Sequence, residues 1–308
     1  MANVLPDWLL HPAALALIGL AIGSFLNVVI HRLPSMLERD WWRDALHQLT
    51  DADSYRRVFG APAPDLLQQS GVALQKAVGA LPPLSLARPA SRCPSCGHRI
   101  RAYENIPVFS WLALRGRCSS CRARIALRYP LVELLCAALF AAIGWRLGGQ
   151  PQVLLWCGFA AALLALAWID WDTTVLPDAI TQPFLWSGLL VAALGWTIAP
   201  VTALIGAIAG YLTLWAVYWF FKLATGKEGM GYGDFKLLAA LGAWLGWQAL
   251  LPIVLAASVI GAVVGIAMKL SGALREGRYV PFGPFLAGAG LMVMWVGPPA
   301  ALAWIGLP

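Results

Sequence analysis

The sequence predicts an all-α polytopic membrane protein, about eight transmembrane helices with a cytoplasmic zinc-binding insert. Three observations carry that reading. The chain is 60% hydrophobic and only 12% charged, with a mean hydropathy of +0.70, whereas soluble domains are about half apolar and a quarter charged. Its apolar residues fall in long runs of the length a bilayer demands. Of its 22 Lys and Arg, 15 lie between Arg32 and Arg128, in the one long polar region. The net charge of +7 therefore follows the positive-inside rule. No basic stripe with interleaved stacking aromatics stands out, so nucleic acid is not the expected partner.

The first apolar run, 12–30, follows an N-terminal stretch without Lys or Arg and has no small-residue cleavage site. It reads as the first membrane helix, within a segment 1–31, and not as a secretory signal. Gly19, Gly23, Ser24 and Asn27 within it are spaced for close helix packing and a bond across helices.

Residues 32–128 form the insert. Trp41, Trp42, Leu46 and Leu49 give its first part some helical periodicity. Residues 80–90 are Pro- and Ala-rich and read as a linker. A compact module, 92–124, follows. It holds Cys93-Pro-Ser-Cys96 and Cys118-Ser-Ser-Cys121. Disulfides are disfavoured in a cytosolic region, and four thiolates at this spacing form a closed tetrahedral zinc site, which is structural. His98 is near enough to tempt as a ligand, but four cysteines suffice. Cys136 and Cys157 sit inside apolar runs as core residues.

Seven further apolar runs, 129–145, 153–169, 180–196, 201–221, 237–250, 251–268 and 282–305, make 129–308 a seven-helix membrane domain. Only Trp247, Gln248 and Pro252 mark a turn between the sixth and seventh of the eight runs. Threading eight helices with the insert inside puts both termini outside and the loops 170–179, 222–236 and 269–279 inside. The last two loops hold six of the seven remaining basic residues, leaving only Arg146 outside. Asp170 and Asp234 then both stand at cytoplasmic helix ends.

Asp170 abuts apolar Ala167-Trp168-Ile169, while Asp172 is a loop acid and Asp178, after Pro177, reads as a helix cap. Asp234 closes the glycine-rich break 226–236, GKEGMGYGDFK. Such backbone is tolerated at membrane depth only when buried or lining a wet cavity. Two carboxylates at one dry site share a proton, so one acid activates water while the other protonates the scissile amide. Gly231 and Gly233 leave room for an extended substrate backbone beside Asp234. A proton relay of a transporter, or two acids capping helices, would use the same residues.

Further motifs decide among these. The chain resembles the bacterial type IV prepilin peptidases, bifunctional leader peptidases and N-methyltransferases of type IV pilus and type II secretion systems. The resemblance is carried by GSFLNVVIHRLP (23–34), both cysteine pairs, ENIP (104–107), RYPLVE (128–133), Asp170 followed by LPD (176–178), the 226–236 stretch and PFGP (281–284). It implies a multi-pass protein of the bacterial inner membrane, with Asp170 and Asp234 the catalytic pair of an aspartic peptidase. It implies prepilin and pseudopilin substrates, cut on the cytoplasmic side after a glycine. It also implies methylation of the new N-terminal residue, usually Phe, from S-adenosylmethionine. Members without the cysteines exist, so the zinc module places this chain with the long, bifunctional form. No dinucleotide-type glycine fingerprint marks the methyl-donor site. Glu104, Glu133 and Glu228 are candidates for it, each equally a partner for the many arginines.

Overall fold

The computed structural model describes residues 6–272 and 280–307, and its chain divides into two compact units. One comprises Met1–Leu26 with Ala126–Pro308, the other Asn27–Ile125.

The first helix, α1 (Pro12–Thr50), does not stop where the apolar run stops. At about 1.5 Å per residue its 39 residues measure about 58 Å, twice the thickness of a bilayer core. Losing hydrophobicity does not end a helix. Residues 36–49 are rich in Leu, Met, Glu, Arg, Ala and Gln, which keep helical geometry in water. Pro34 lies inside and removes one ladder bond without breaking it.

The 27–125 unit continues with α2 (Ala52–Phe59), capped by Asp51, whose carboxylate accepts from the Asp53 and Ser54 N–H groups. Next comes α3 (Asp65–Gly79), whose Gly71 backs onto the Thr50 methyl. The 80–90 linker is irregular, as expected, and is tied down by arginines. Arg32 donates to the Ser85 and Leu86 carbonyls and Arg39 to that of Pro82. Two cysteine loops and the short α4 (Phe109–Ala113) complete the unit.

The other unit holds α5 (Arg128–Leu147), α6 (Gln152–Thr173), α7 (Asp178–Ala193), α8 (Pro200–Thr225), α9 (Tyr232–Leu245), α10 (Leu250–Leu270), α11 (Gly283–Val296) and α12 (Pro298–Trp304). Every apolar run of the sequence is a helix. Five helices are long and apolar enough to cross a membrane, α1, α5, α6, α8 and α10 with the turn before it, and a sixth if α11 and α12, bent by 108°, form one span. The two runs that fall short are α7, of 16 residues, and α9, of 14. Gly246 ends α9 and a 3-10 turn, Trp247–Ala249, leads into α10, so the poorly marked junction is a real break.

Helix α9 is the pillar of this unit, with 11 of its 14 residues buried. Glycines on its neighbours let it in. Gly206 of α8 and Gly242 of α9 touch backbone to backbone, and a Cβ on Gly210 would lie 2.6 Å from the Leu238 carbonyl oxygen. Gly188 of α7 makes room for Trp244, whose indole N–H donates to the Phe184 carbonyl at 2.8 Å, and Gly290 of α11 makes room for Leu241. Trp156, Phe159 and Phe184 ring Trp244 with centroids 5.3–5.8 Å away. The expectation that Gly19 and Gly23 serve packing is met. A Cβ on either would lie 2.7 Å from a Cα of α5, that of Ala137 or of Glu133.

Candidate functional site

Asp170 sits one turn before the end of α6, which closes on Thr174 with a positive φ of 55°. Asp234 sits in the first turn of α9. They come from segments 64 residues apart in sequence (234 minus 170), and both are buried, 5% and 6% exposed. They are close enough for their charges to interact. The loop 174–177 and the start of α11 complete the surroundings. The Gly283 N–H donates to Asp170 Oδ2 at 2.9 Å. A Cβ on Gly283 would lie 2.5 Å from that oxygen and 3.3 Å from Leu176 Cδ1. A Cβ on Gly233 would lie 2.8 Å from Leu176 Cβ. Leu176 thus fills the space between Gly233, beside one acid, and Gly283, which holds the other. Gly231 is different. Nothing nearer than the Gly233 nitrogen, at 4.0 Å, occupies the side where its Cβ would be.

The glycine-rich loop is fixed from behind. Gly226 caps α8 in the left-handed region, φ 71°, and its N–H donates to the Lys222 carbonyl. Lys222 Nζ then donates to Glu228 Oε1 at 2.9 Å and to the Tyr218 hydroxyl at 3.1 Å. That hydrogen bond from Lys222 holds the Glu228 carboxyl below its ordinary range. Glu228 is therefore a tether of the loop.

Asp178 does not stand at the cap position of α7, which falls on Pro177; it is the first residue of the helix. It pairs instead with Lys236, 58 residues away, and Asp172 pairs with Arg128 at 2.5 Å. Arg128 also lies over the Trp168 ring at 5.0 Å. Arg128, Asp178 and Lys236 lie in the RYPLVE, LPD and 226–236 stretches, but no local spacing reports which of them pair. Glu133, the third glutamate considered, is buried on α5. Glu133 and Glu228 belong to one unit and Glu104 to the other.

The second constellation is self-contained in the 27–125 unit. The ligand atoms of Cys93, Cys96, Cys118 and Cys121 all lie within 4.8 Å of one another, with Cys93 and Cys121 sulfurs 3.8 Å apart. A tetrahedral metal with bonds of about 2.3 Å to sulfur sets its ligands about 3.8 Å apart, so the donor set fits a metal ion. The two loops are near-copies. In each, the first Cys N–H donates to a carbonyl five residues on, Cys93 to His98 and Cys118 to Ala123. In each, the residue after the second Cys has positive φ, Gly97 at 73° and Arg122 at 62°. Glycine enters that region freely and arginine under strain.

Backbone N–H groups favour the thiolate at the first cysteine of each loop. The Ser95 and Cys96 N–H groups hold the Cys93 thiol down to about 6, and those of Cys121 and Ser120 lower Cys118. Cys121 has the Ala123 N–H in its favour, yet crowding by the other sulfurs and burial push it up to about 11. Four thiolates this close need a cation among them. His98 stays outside the cluster, 3.3 Å from Glu104. The Arg101 N–H, with Ser119 and His98, holds Glu104 at about 2.

The comparisons agree with both constellations lying in known domains. Residues 17–147 match the bacterial peptidase A24 N-terminal domain and residues 157–266 the type IV leader peptidase family. A prepilin leader peptidase/N-methyltransferase of Pseudomonas putida is 49% identical over 279 residues, 90% of this chain and 88% of the relative. One of Aeromonas hydrophila is 49% identical over 296 residues, 96% and 93% of the two chains. One of Stutzerimonas stutzeri is 48% identical, over 93% and 88%. No solved structure matches. With near-complete coverage at this identity, the chain belongs to the type IV leader peptidase family.

Proposed function

We propose that this chain is a multi-pass inner-membrane enzyme that removes the leader of type IV prepilins and pseudopilins and N-methylates the residue exposed. The observation that carries the peptidase half is the pair of buried, interacting carboxylates at the end of α6 and the start of α9. Asp170 and Asp234 share one proton. The ionised acid takes a proton from water as its oxygen attacks the scissile carbonyl carbon. The protonated acid then gives its proton to the departing amine as the C–N bond breaks. The Gly283 N–H keeps the Asp170 carboxylate oriented, and the open side of Gly231 admits the substrate backbone. Gly233 helps by letting Leu176 pack flush against the turn.

Placement supports the same reading. Eight helices threaded with the 32–128 insert in the cytoplasm put both acids on that side, within a peptidase domain of residues 129–308. A prepilin lying with its leader in the cytoplasm and its apolar helix in the bilayer presents the scissile bond there. The four cysteines hold a structural zinc ion, chosen by thiolate ligands in closed tetrahedral array. S-adenosylmethionine, when bound, would be the methyl donor: the new amine would attack its S-methyl carbon, leaving S-adenosylhomocysteine and a proton.

The test uses purified full-length protein with a synthetic prepilin. Asp170→Asn and Asp234→Asn should each leave it uncut while still methylating a pre-cleaved pilin. Normal cleavage by either variant would refute the pair.

A further inference from the structure

The cysteine-bearing unit carries charge that it does not neutralise. Residues 88–124 contain eight arginines, no lysine, and Glu104 as the one acid. Glu104 is already engaged with His98 and the Arg101 N–H. Three of the eight, Arg88, Arg92 and Arg99, line one open cavity of about 420 Å³ walled by Pro82, Pro83 and Pro89. Among the described residues no carboxylate forms an ion pair with any of the three.

Their placement is built in. Arg92 and Arg99 stand opposite each other across an antiparallel backbone bridge. Side chains so paired are about 5 Å apart at Cβ, and like charges there repel. The backbone holds them regardless, with Cys93 N–H donating to the His98 carbonyl and Ile100 N–H to that of Ser91, each at 2.9 Å. Arg88 is fixed outside this loop, where its N–H donates to Ser85 Oγ at 2.9 Å and its carbonyl accepts the Ser85 N–H at 2.7 Å. Three arginines lining one cavity, two of them on directly opposed backbone positions and none ion-paired, offer a receptor for a multivalent oxyanion, because planar guanidinium forks match phosphate oxygens in pairs.

Size and connectivity narrow the class. The cavity is far larger than inorganic phosphate, and its proline walls suit the carbon skeleton of a phosphate ester. The unit takes in the second half of Pro12–Thr50 and leads directly into Arg128–Leu147, both helices long and apolar enough to cross a membrane. Basic clusters flanking membrane helices attract anionic headgroups. We propose that Arg88, Arg92 and Arg99 bind the phosphodiester of an anionic phospholipid headgroup. This assignment is independent of the peptidase reading.

The experiment measures binding of short-chain phosphatidylglycerol and phosphatidylcholine to the zinc-loaded full chain in neutral detergent. Phosphatidylglycerol should bind at least about tenfold more tightly, and each arginine changed to Gln should cost about fivefold. Arg88→Gln and the double variant Arg92→Gln/Arg99→Gln should keep zinc content and prepilin cleavage at parental levels. Should the double variant lose zinc, Arg88→Gln decides alone, since it lies outside the cysteine loop. Equal affinity for the two lipids, parental affinity in Arg88→Gln, or full displacement by millimolar inorganic phosphate would each overturn the assignment, the last by pointing to a soluble phosphate ligand.

Discussion

Lys236 Nζ lies 2.7 Å from both carboxylate oxygens of Asp178, joining the first turn of α9 to the first residue of α7. Lys236 is two residues beyond Asp234, and Asp178 follows directly on the loop that leaves the Asp170 helix. The pair therefore ties the two halves of the acid site together from outside. Its side chains are 30% and 58% exposed, so its contribution to stability is about 0–1 kcal/mol.

A positioning role predicts an effect on turnover that exceeds the effect on folding. Lys236→Met should lower kcat by about tenfold, less than the hundredfold that follows a 1 Å misplacement, with KM and the melting temperature little changed. The reversed pair, Asp178→Lys with Lys236→Asp, should recover most of the loss. Kinetics on a purified prepilin read both, and a parental kcat in Lys236→Met would show that the tie plays no part.

Gly283 and Gly231 should separate in the same assay. Alanine at 283 puts a methyl 2.5 Å from Asp170 Oδ2, so the carboxylate must turn and its N–H donor is lost. The expected outcome is a kcat loss of about 10²-fold in a folded protein. Alanine at 231 meets no protein atom closer than 4.0 Å. It should fold normally and act on KM, because only a bound substrate would collide with it.

The glycine contact between α8 and α9 predicts a folding defect. A Cβ on Gly242 collides with the Gly206 carbonyl, and backbone cannot swing aside. Gly242→Ala should destabilise by about 1–3 kcal/mol or more, seen as a lower unfolding midpoint in micelles. Gly158→Ala on α6, with nothing within 4 Å, is the matched control and should be neutral.

Metal analysis should find one zinc per chain, falling to about none in a Cys93→Ser/Cys118→Ser variant. The 27–125 unit should then become protease-sensitive, while prepilin cleavage by Asp170 and Asp234 continues. Unchanged metal content would contradict the four-cysteine site.

The parts legible in sequence are those written in local spacing. Two Cys-x-x-Cys pairs announce a metal cluster because their geometry is set within a few residues. Apolar runs announce helices for the same reason, and each run proved helical. The end of α1 was not legible, since hydropathy reports the bilayer and not the helix, which runs on through Pro34 to Thr50. Nor were pairings between distant segments. Asp178 reads locally as a cap, and only the packing of α7 on α9 gives it Lys236 instead. Glycines could be seen as packing residues, but not that Gly206 would meet Gly242 or Gly283 would meet Asp170.

The 14 residues of α9 measure about 21 Å, short of the roughly 30 Å core of a bilayer. Lipid alone does not hold such a segment; the glycine faces of α7, α8 and α11 do, by admitting Trp244, the backbone at Gly242 and Leu241. The height at which Asp234 stands is therefore set by protein packing and not by the thickness of the surrounding bilayer.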